Sequence, residues 1–437
     1  MAALETLLDR ELDSVEKEIL EELPIKVVNK GLMSKPFKLS ADYSSLLKKW
    51  YNGLDCRTFT LENVGGAFSK IEFEKVNLES PKQRIEALQK LGWTPTEWTY
   101  KTNDWGKPVH DSFGNKIKLS PKLTEESVKD IPVGQKILKY LVISHRRKLL
   151  EGLKERMRAD GSIGSGGFTV GTNTGRMMHR NIVNIPTVKE LYGREIREVF
   201  AARKGRTLLG ADLKSLENKL IGHYTHSIDG GIYAQRLEKE DSHETTVKLC
   251  QSIGLEISRD KAKTLNYALG FGAGIGKVKE ILGVDGTIAA KVHRLWWEDK
   301  KAVLELQKNL EYSLKYRGSY DGKTLKEDAY IKGLDGRKVF IRSAHSLVNA
   351  LIQNAGAVVS KFIACKVYKE IDRLELNANF ICVYHDEINL EIADNKETTE
   401  MVEKIIKKSV AICNQYFKLS VPMEMEIKTG HNWAEIH

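Results

Sequence analysis

The sequence predicts an α+β fold, and three observations carry that prediction. Arg206 to Asp212 (RTLLGAD) is a short apolar run closed by an acid, as a buried strand would be, and Ser215 to Tyr224 follows with Leu216, Leu220 and Tyr224 on one helical stripe. Phe380 to Val383 and the alternating Ile388, Leu390 and Ile392 read as a hairpin with His385, Asp386 and Glu387 at its tip. Arg259, Lys263, Tyr267 and Phe271 recur every fourth residue, so they share one slowly drifting helical stripe.

The remaining elements follow in chain order. Residues 1–25 form an acidic amphipathic helix, which lacks the basic start and apolar block of a secretory signal. Residues 26–76 are mixed basic and aromatic, with a turn at Val64–Gly66. Helical patterns fill 80–160, including the strongly charged Lys136–Arg158 run, and 161–175 (GSIGSGGFTVGTNTG) reads as glycine-rich loops and short strands. No internal repeat or low-complexity segment interrupts them.

Composition bounds the class. At 437 residues the chain exceeds one typical domain and can bury a sizeable core. With 29% charged and 41% hydrophobic residues it reads as globular and soluble. The 69 basic against 59 acidic residues leave a net charge of +10, which suits a polyanionic partner. No apolar run approaches the roughly 20 residues of a membrane span. Cys56, Cys250, Cys365, Cys382 and Cys413 form no CxxC pair, so they read as reduced, buried residues of a cytosolic protein without a zinc site.

The three opening segments carry the chemistry. Asp212 at a strand-to-helix junction sits at a sheet edge, where ligand can reach it. Asp386 and Glu387 are adjacent acids that packing does not require. Two aspartates brought together repel unless cations neutralise them, and Mg²⁺ binds through one or two carboxylates plus substrate phosphates. A pair of such ions roughly 4 Å apart can stabilise attacking and leaving oxygens of an in-line displacement. Taken singly, HDE also suits a solvated turn and Asp212 a helix N-cap. Ser258 can cap the basic helix. Arg259 and Lys263 then occupy first turns whose dipole disfavours cations, which makes sense if an anion binds there. Tyr267 and Phe271 beyond them offer faces for a base or sugar; an amphipathic core helix with solvated basic ends is the plainer alternative. GFGAGIGK is not a P-loop, because Phe271 replaces the first glycine and Val278 the required Ser/Thr.

These segments resemble motifs A, B and C of family A DNA polymerases, the T-odd bacteriophage replicative enzymes being the nearer branch. LGWTPTEWT (91–99), TGRMMHRNIVNIP (174–186), YGREIREVF (192–200), DSHETT (241–246), KGLDGRKVFIRS (332–343), LVNALIQNAGA (347–357) and the terminal HNWAEIH agree in order. The resemblance covers residues 77–437 convincingly and the first 76 weakly. It implies a right-hand polymerase fold with an antiparallel palm and helical fingers. The thumb would span 1–165, with 26–76 a candidate insertion, the palm 166–245 and 340–437, and the fingers 246–339.

By the same resemblance, Asp212 and Asp386 bind two Mg²⁺ ions (Mn²⁺ can substitute) with the Leu213 carbonyl, and Glu387 is a nearby acid of lesser role. Lys263 meets the α-phosphate and can protonate the leaving pyrophosphate, while Arg259 and His243 hold the outer phosphates. Tyr267 stacks on the incoming sugar and base, and Glu217 beneath the sugar helps exclude a 2′-hydroxyl. Phe271 stands where a tyrosine beside the templating base is usual. Arg176, Asn349, Gln353 and His385 track the minor groove and primer end of primer-template DNA, where acceptors are largely independent of sequence. The implied reaction is dNTP-dependent primer extension in the cytoplasm of an infected bacterial host.

Lys219, Lys214, Ala268, Phe271 and the NIV run before Asn184 depart from the usual pattern without removing a metal ligand or phosphate contact. A thumb-like helix begins almost at Met1, so the expectation is a chain that polymerises without 3′-5′ proofreading. A separate exonuclease polypeptide or a processivity factor would then be a partner. Three rivals remain: a single-subunit RNA polymerase, against which Glu217 argues; a non-catalytic nucleic-acid-binding protein, against which the retained Asp212, Asp386 and Lys263 argue; and a two-metal nuclease, which leaves Arg259, Lys263 and Tyr267 unexplained.

Overall fold

The computed structural model describes residues 1–40, 42–51, 68–103, 109–270 and 272–436. Phe271, Cys56 and the Val64–Gly66 turn lie outside them. The chain divides into two compact units, Met1–Gly152 and Leu153–His437.

In the first unit the predicted acidic helix runs Ala2–Glu22 and buries Leu4, Leu8, Val15 and Ile19, the stripe its spacing implies. Its acids meet cations of the Pro132–Glu155 helix, which runs antiparallel to it: Lys136 lies 2.7 Å from Glu22, and Arg147 lies 2.6 Å from Asp9. A hairpin pairs Lys26–Met33 with Phe68–Glu74, interrupted by a bulge near Gly31.

The second unit is organised on a four-stranded antiparallel sheet. Its order is Ala378–Tyr384, Glu387–Ala393, Arg206–Leu213, Met425–Gly430. Register sorts every side chain by face, because the strand period is two. Ala211 pairs with Ile388 and Ile427, and Leu209 with Leu390, so these residues share one apolar face. That face joins the main core, to which helices Leu216–Asp229, Leu347–Arg373 and Lys396–Tyr416 contribute Leu220, Val359 and Ile406. The other face carries Asp212 opposite Glu387, Gly210 opposite Asn389, and Glu426 opposite Asp212 on the far side.

The hairpin strand alternates polar and apolar residues as the sequence shows, yet all seven of its residues are buried. The reason is that its polar face is covered too. Glu391 is held by Arg203, whose Nε lies 2.9 Å from Oε2, and the carboxyl-terminal residues lie over Gly210. A Cβ at Gly210 would come within 3.1 Å of Ile436 and 3.2 Å of Glu387 Oε1, so a larger residue there would have to push both aside.

A second core lies among helices Ser242–Gln251, Arg259–Gly270, Ile275–Leu282 and Gly286–Asp299, where Cys250, Leu265, Val278 and Val292 are fully buried. Two expectations need correction. The 30-residue helical stretch Ala344–Arg373 has mean hydropathy 1.3 in its most apolar window, long and apolar enough to cross a membrane by composition, but 72% of that window is buried inside the protein. It is a core helix. Cys365 is exposed and Cys382 only partly covered, while Cys250 and Cys413 are buried as expected; all four are free thiols. Cys365 falls on the solvent side of the long helix, which its apolar neighbours obscure.

Candidate active site

Asp212 is the penultimate residue of its strand, and its partner across the ladder is Glu387. Tyr384 pairs with Glu387 to close the hairpin, so its turn consists of His385 and Asp386 alone. That register puts Asp386 one residue from the Asp212 pair. His385 adopts φ 57°, a left-handed conformation uncommon for a residue with a Cβ. Asp212 is not a helix N-cap: the next helix starts at Leu216, behind Ser215 at φ 49°. HDE is solvated only in part: His385 is exposed and Asp386 partly buried, while Glu387 belongs to the strand and is 3% exposed.

A cleft of about 560 Å³ opens at this end of the sheet, and Asp212, Leu213, Asp386 and His385 line it together with Arg176, Glu217, His243 and Tyr267. Asn349 lies in an adjoining cavity that shares Glu217, His243 and Tyr267. Eight of the expected residues therefore meet on one surface. Lys263 and Arg259 do not line the cleft; they stand on the exposed side of the helix that brings Tyr267 to it, one and two turns nearer its N-terminus. Gln353 is half-buried on the core helix and lines neither cavity. Glu387 shares the sheet face of Asp212 but does not line the cleft; its Oε1 accepts from the Trp433 indole at 3.3 Å.

Local structure explains the placement of the others. Ser258 Oγ accepts from Lys261 N at 3.2 Å and caps the basic helix, as expected. Ala262, Leu265 and Leu269 bury its other side, which turns Lys263 and Tyr267 outward. Arg259 forms an ion pair with Asp241, 2.6 Å from Nη2. Asp241 also caps the next helix through His243 N at 2.8 Å. Its carboxyl is held below the usual range, chiefly by the Arg259 hydrogen bond.

Asn266 ties this region together. Its Oδ1 accepts from Thr246 at 2.8 Å and from Trp296 Nε1 at 2.7 Å, and its Nδ2 lies 3.1 Å from His243 Nδ1. Burial lowers the His243 pKa, with Arg259, Lys263 and Lys300 adding to that and Asp241 opposing it.

Arg176 rides on a loop fixed from three directions. Lys361 donates to Thr169 O and Gly175 O, buried Asn354 donates to Thr174 O at 3.0 Å, and Asn173 reaches Phe340 O at 3.0 Å. Its guanidinium pairs with Glu217 at 3.2 Å. His179 joins the wall, its ring 5.7 Å from that of His385. Neither His179, Lys361, Asn354 nor Asn266 was singled out by sequence reasoning. The first, third and fourth lie inside matched segments, but nothing local marks their roles.

Asp212, Asp386 and the Leu213 carbonyl offer oxygen donors, which suit a hard cation. Among the described residues no three His, Cys, Asp or Glu side chains converge as a ready-made metal cage. Mg²⁺ does not need one, since it keeps water and takes substrate phosphate oxygens as ligands. The residues present fit that ion. Burial raises the Asp386 pKa, with its own backbone N–H and His385 opposing, so a cation there would do what no protein group does fully.

A family model described as DNA polymerase family A matches residues 52–435. The DNA-directed DNA polymerase of Enterobacteria phage T3 is 28% identical over 406 residues, covering 87% of this chain and 56% of that protein. That of Escherichia phage T7 is 28% identical over 407 residues with the same coverages. DNA polymerase I of Borreliella burgdorferi is 26% identical over 369 residues, 83% of this chain and 38% of that one. This chain therefore spans about half the length of the phage relatives. Among solved structures, the POL domain of Pol1 from M. smegmatis, in complex with DNA primer-template and dNTP, matches with TM-score 0.65 at 20% identity, over 83% of this chain and 62% of that one. That likeness is one of fold.

Proposed function

We propose, since this chain belongs to DNA polymerase family A, that it extends a primer 3′-hydroxyl on a DNA template with deoxynucleoside triphosphates. The observation that carries the reading is the strand register: it sets Asp386 beside the Asp212–Glu387 pair at the rim of a cleft that Tyr267 and His243 also line. On this reading residues 1–165 are the thumb, 166–245 and 340–437 the palm, and 246–339 the fingers.

Asp212, Asp386 and the Leu213 carbonyl would hold two Mg²⁺ ions, which supply charge neutralisation of the attacking and leaving oxygens. The chain's own groups do the rest. The primer 3′-hydroxyl gives up its proton to water and its oxygen bonds to the α-phosphorus while the bond to the bridging oxygen breaks, releasing pyrophosphate. Lys263 is placed to protonate that leaving group, and Arg259 and His243 to hold its outer oxygens. Because Arg259 is engaged with Asp241, the triphosphate displaces a carboxylate to reach it. Tyr267, about half exposed, offers its ring to the sugar and base. Glu217, at the start of its helix, walls off the 2′ position. Arg176 and His385 meet the primer end, and Asn349 and Gln353 lie farther along the duplex path. The net charge of +10 favours the polyanionic substrate. The phage relatives support a place in the cytoplasm of an infected bacterium.

Primer extension by the purified chain tests this, with dNTPs and rNTPs in parallel and Mg²⁺ as the metal. Asp212→Asn and Asp386→Asn should each abolish extension while primer-template binding persists. Full activity of either variant sinks the reading.

A further inference from the structure

The turn that carries Asp386 is strained, and what restrains it lies behind the cleft. His385 holds φ 57° in a two-residue connection without glycine. Such a conformation is uncommon for a residue with a Cβ and persists where the surroundings over-determine it. The residues that close the turn are Tyr384 and Glu387, and a single side chain grips both. The Trp433 ring meets the Tyr384 ring edge-on at 5.2 Å, and its Nε1 donates to Glu387 Oε1 at 3.3 Å.

Trp433 is itself locked. It is 4% exposed, its backbone N donates to Phe200 O at 2.9 Å, and the Phe200 ring packs edge-on at 5.3 Å. The Arg197 guanidinium lies over its face at 4.6 Å. Arg197 is 1% exposed, its Nε donates to Pro186 O at 2.7 Å, and its buried Nη1 has no hydrogen-bond partner. An arginine is not sunk this deeply for solubility; its cation sits where the Trp433 face and the Glu387 charge both favour it. The neighbouring Ile185 N donates to the Tyr384 hydroxyl at 3.3 Å, closing a second path from the same segment to the turn.

We propose that Trp433, backed by Arg197, is a positioning residue that fixes the His385–Asp386 turn and thereby sets the site's affinity for its metal ions. The proposal rests on the reading of Asp386 as a metal ligand. It gives Glu387 a definite role, in which its carboxylate is the anchor point of the turn and reaches the metal site through the backbone instead of the cleft. Groups that bond a ligand directly change metal affinity by about 10- to 100-fold when lost; Trp433 acts one step farther out, through Tyr384 and Glu387, so the lower end of that range is expected.

Trp433→Phe keeps an aromatic ring against Tyr384 but removes the indole donor together with the volume of its five-membered ring. The readout is Mn²⁺ uptake, followed by the electron paramagnetic resonance of free Mn²⁺, in a complex with dideoxy-terminated primer-template and dNTP, where no turnover occurs. The expected result is Mn²⁺ affinity weaker by about tenfold and primer-template affinity near that of the unaltered protein, alongside the lowered melting temperature that a smaller buried ring brings. A purely structural role would lower the melting temperature and leave Mn²⁺ affinity alone, and that result overturns the proposal. Should Trp433→Phe not fold, Glu387→Gln, of the same shape but a weaker acceptor, measures the same link; unchanged Mn²⁺ affinity in it also overturns the proposal. Asp386→Asn is the control that separates the two levels. If it loses Mn²⁺ while Trp433→Phe does not, the positioning role fails and the polymerase reading stands. If it binds Mn²⁺ and extends primers normally, the reading fails and takes the proposal with it.

Discussion

Arg259 and Asp241 share an ion pair, 2.6 Å between Nη2 and Oδ2, although Arg259 is the residue assigned to an incoming triphosphate. Both partners are about half exposed, so the pair adds little to stability. Its consequence is competitive: a triphosphate must take Arg259 from a carboxylate that remains nearby. Asp241→Asn keeps the oxygen that caps the following helix, since asparagine caps as well as aspartate, but removes the charge. The KM for dNTP is expected to fall several-fold with the melting temperature unchanged. Asp241→Ala loses the cap as well and should cost about 1 kcal/mol. Steady-state kinetics and thermal melting on both variants check this; an unaltered KM in Asp241→Asn shows that Arg259 does not meet the triphosphate.

Tyr267 carries a hydroxyl at the position assigned to the incoming sugar, and its ring lies 6.0 Å from that of His243. Ready use of dideoxynucleotides follows, because the hydroxyl can stand in for the missing 3′ group of the sugar. In Tyr267→Phe, discrimination against dideoxynucleotides should rise at least about tenfold, equivalent to about 1.4 kcal/mol. Competitive termination with equal dNTP and ddNTP gives the ratio directly. Termination unchanged by the substitution removes Tyr267 from the sugar pocket.

Glu217 meets Arg176 across the cleft at 3.2 Å, both partly exposed. Removing one partner of so exposed a pair costs at most about 1 kcal/mol. Glu217→Ala should therefore melt almost normally, yet accept ribonucleotides at least about tenfold more readily relative to dNTPs. Parallel single-nucleotide insertion with dNTP and rNTP reads that ratio. Retained selectivity places the 2′ barrier elsewhere.

What the sequence made legible was local in origin. The apolar run ending at Asp212, the hairpin around Asp386, and the four-residue spacing of Arg259, Lys263 and Tyr267 are short-range patterns, and their elements formed as expected. What escaped depends on partners far along the chain. Glu391 reads as the solvent side of a strand until Arg203, 188 positions away, is brought over it. Asn354 reads as an ordinary polar residue of the long helix, yet it is fully buried and holds both Thr174 O and Leu334 N. Trp433 lies in a matched terminal segment, but only the fold brings it under Glu387. No periodicity encodes such encounters.

Asn266 makes that point quantitatively. Thr246 and Trp296, both nearly inaccessible to solvent, donate to its one carbonyl oxygen. Asn266→Leu strands the Trp296 indole N–H, while the Thr246 hydroxyl keeps Ser242 O at 3.1 Å, and a buried group so stranded costs about 1–3 kcal/mol. The variant should melt markedly lower, and what folds should bind dNTP more weakly because His243 loses its partner at 3.1 Å. Asn266→Asp tests the two effects separately. It restores an acceptor for Thr246 and Trp296 but cannot donate to His243, so stability should recover further than dNTP affinity does.

Asp386 offers a test through pH. Burial lifts its pKa above the ordinary carboxylate value, so without metal the folded protein takes up this proton at a higher pH than the unfolded chain does. Stability then changes as the difference in bound protons dictates. Asp386 contributes favourably once protonated, and that contribution is lost as pH rises from the ordinary carboxylate range through its raised folded value. Asp386→Asn has no such dependence. In the presence of a chelator, the variant should therefore be more stable than the unaltered protein near pH 7, with the gap closing as pH falls toward about 4. Added Mg²⁺ should narrow the gap from the other side, by stabilising the charged carboxylate of the unaltered protein only. Melting curves across that range, with and without Mg²⁺, measure both. A gap that is independent of pH and of Mg²⁺ shows that Asp386 is neither held protonated by burial nor neutralised by the ion.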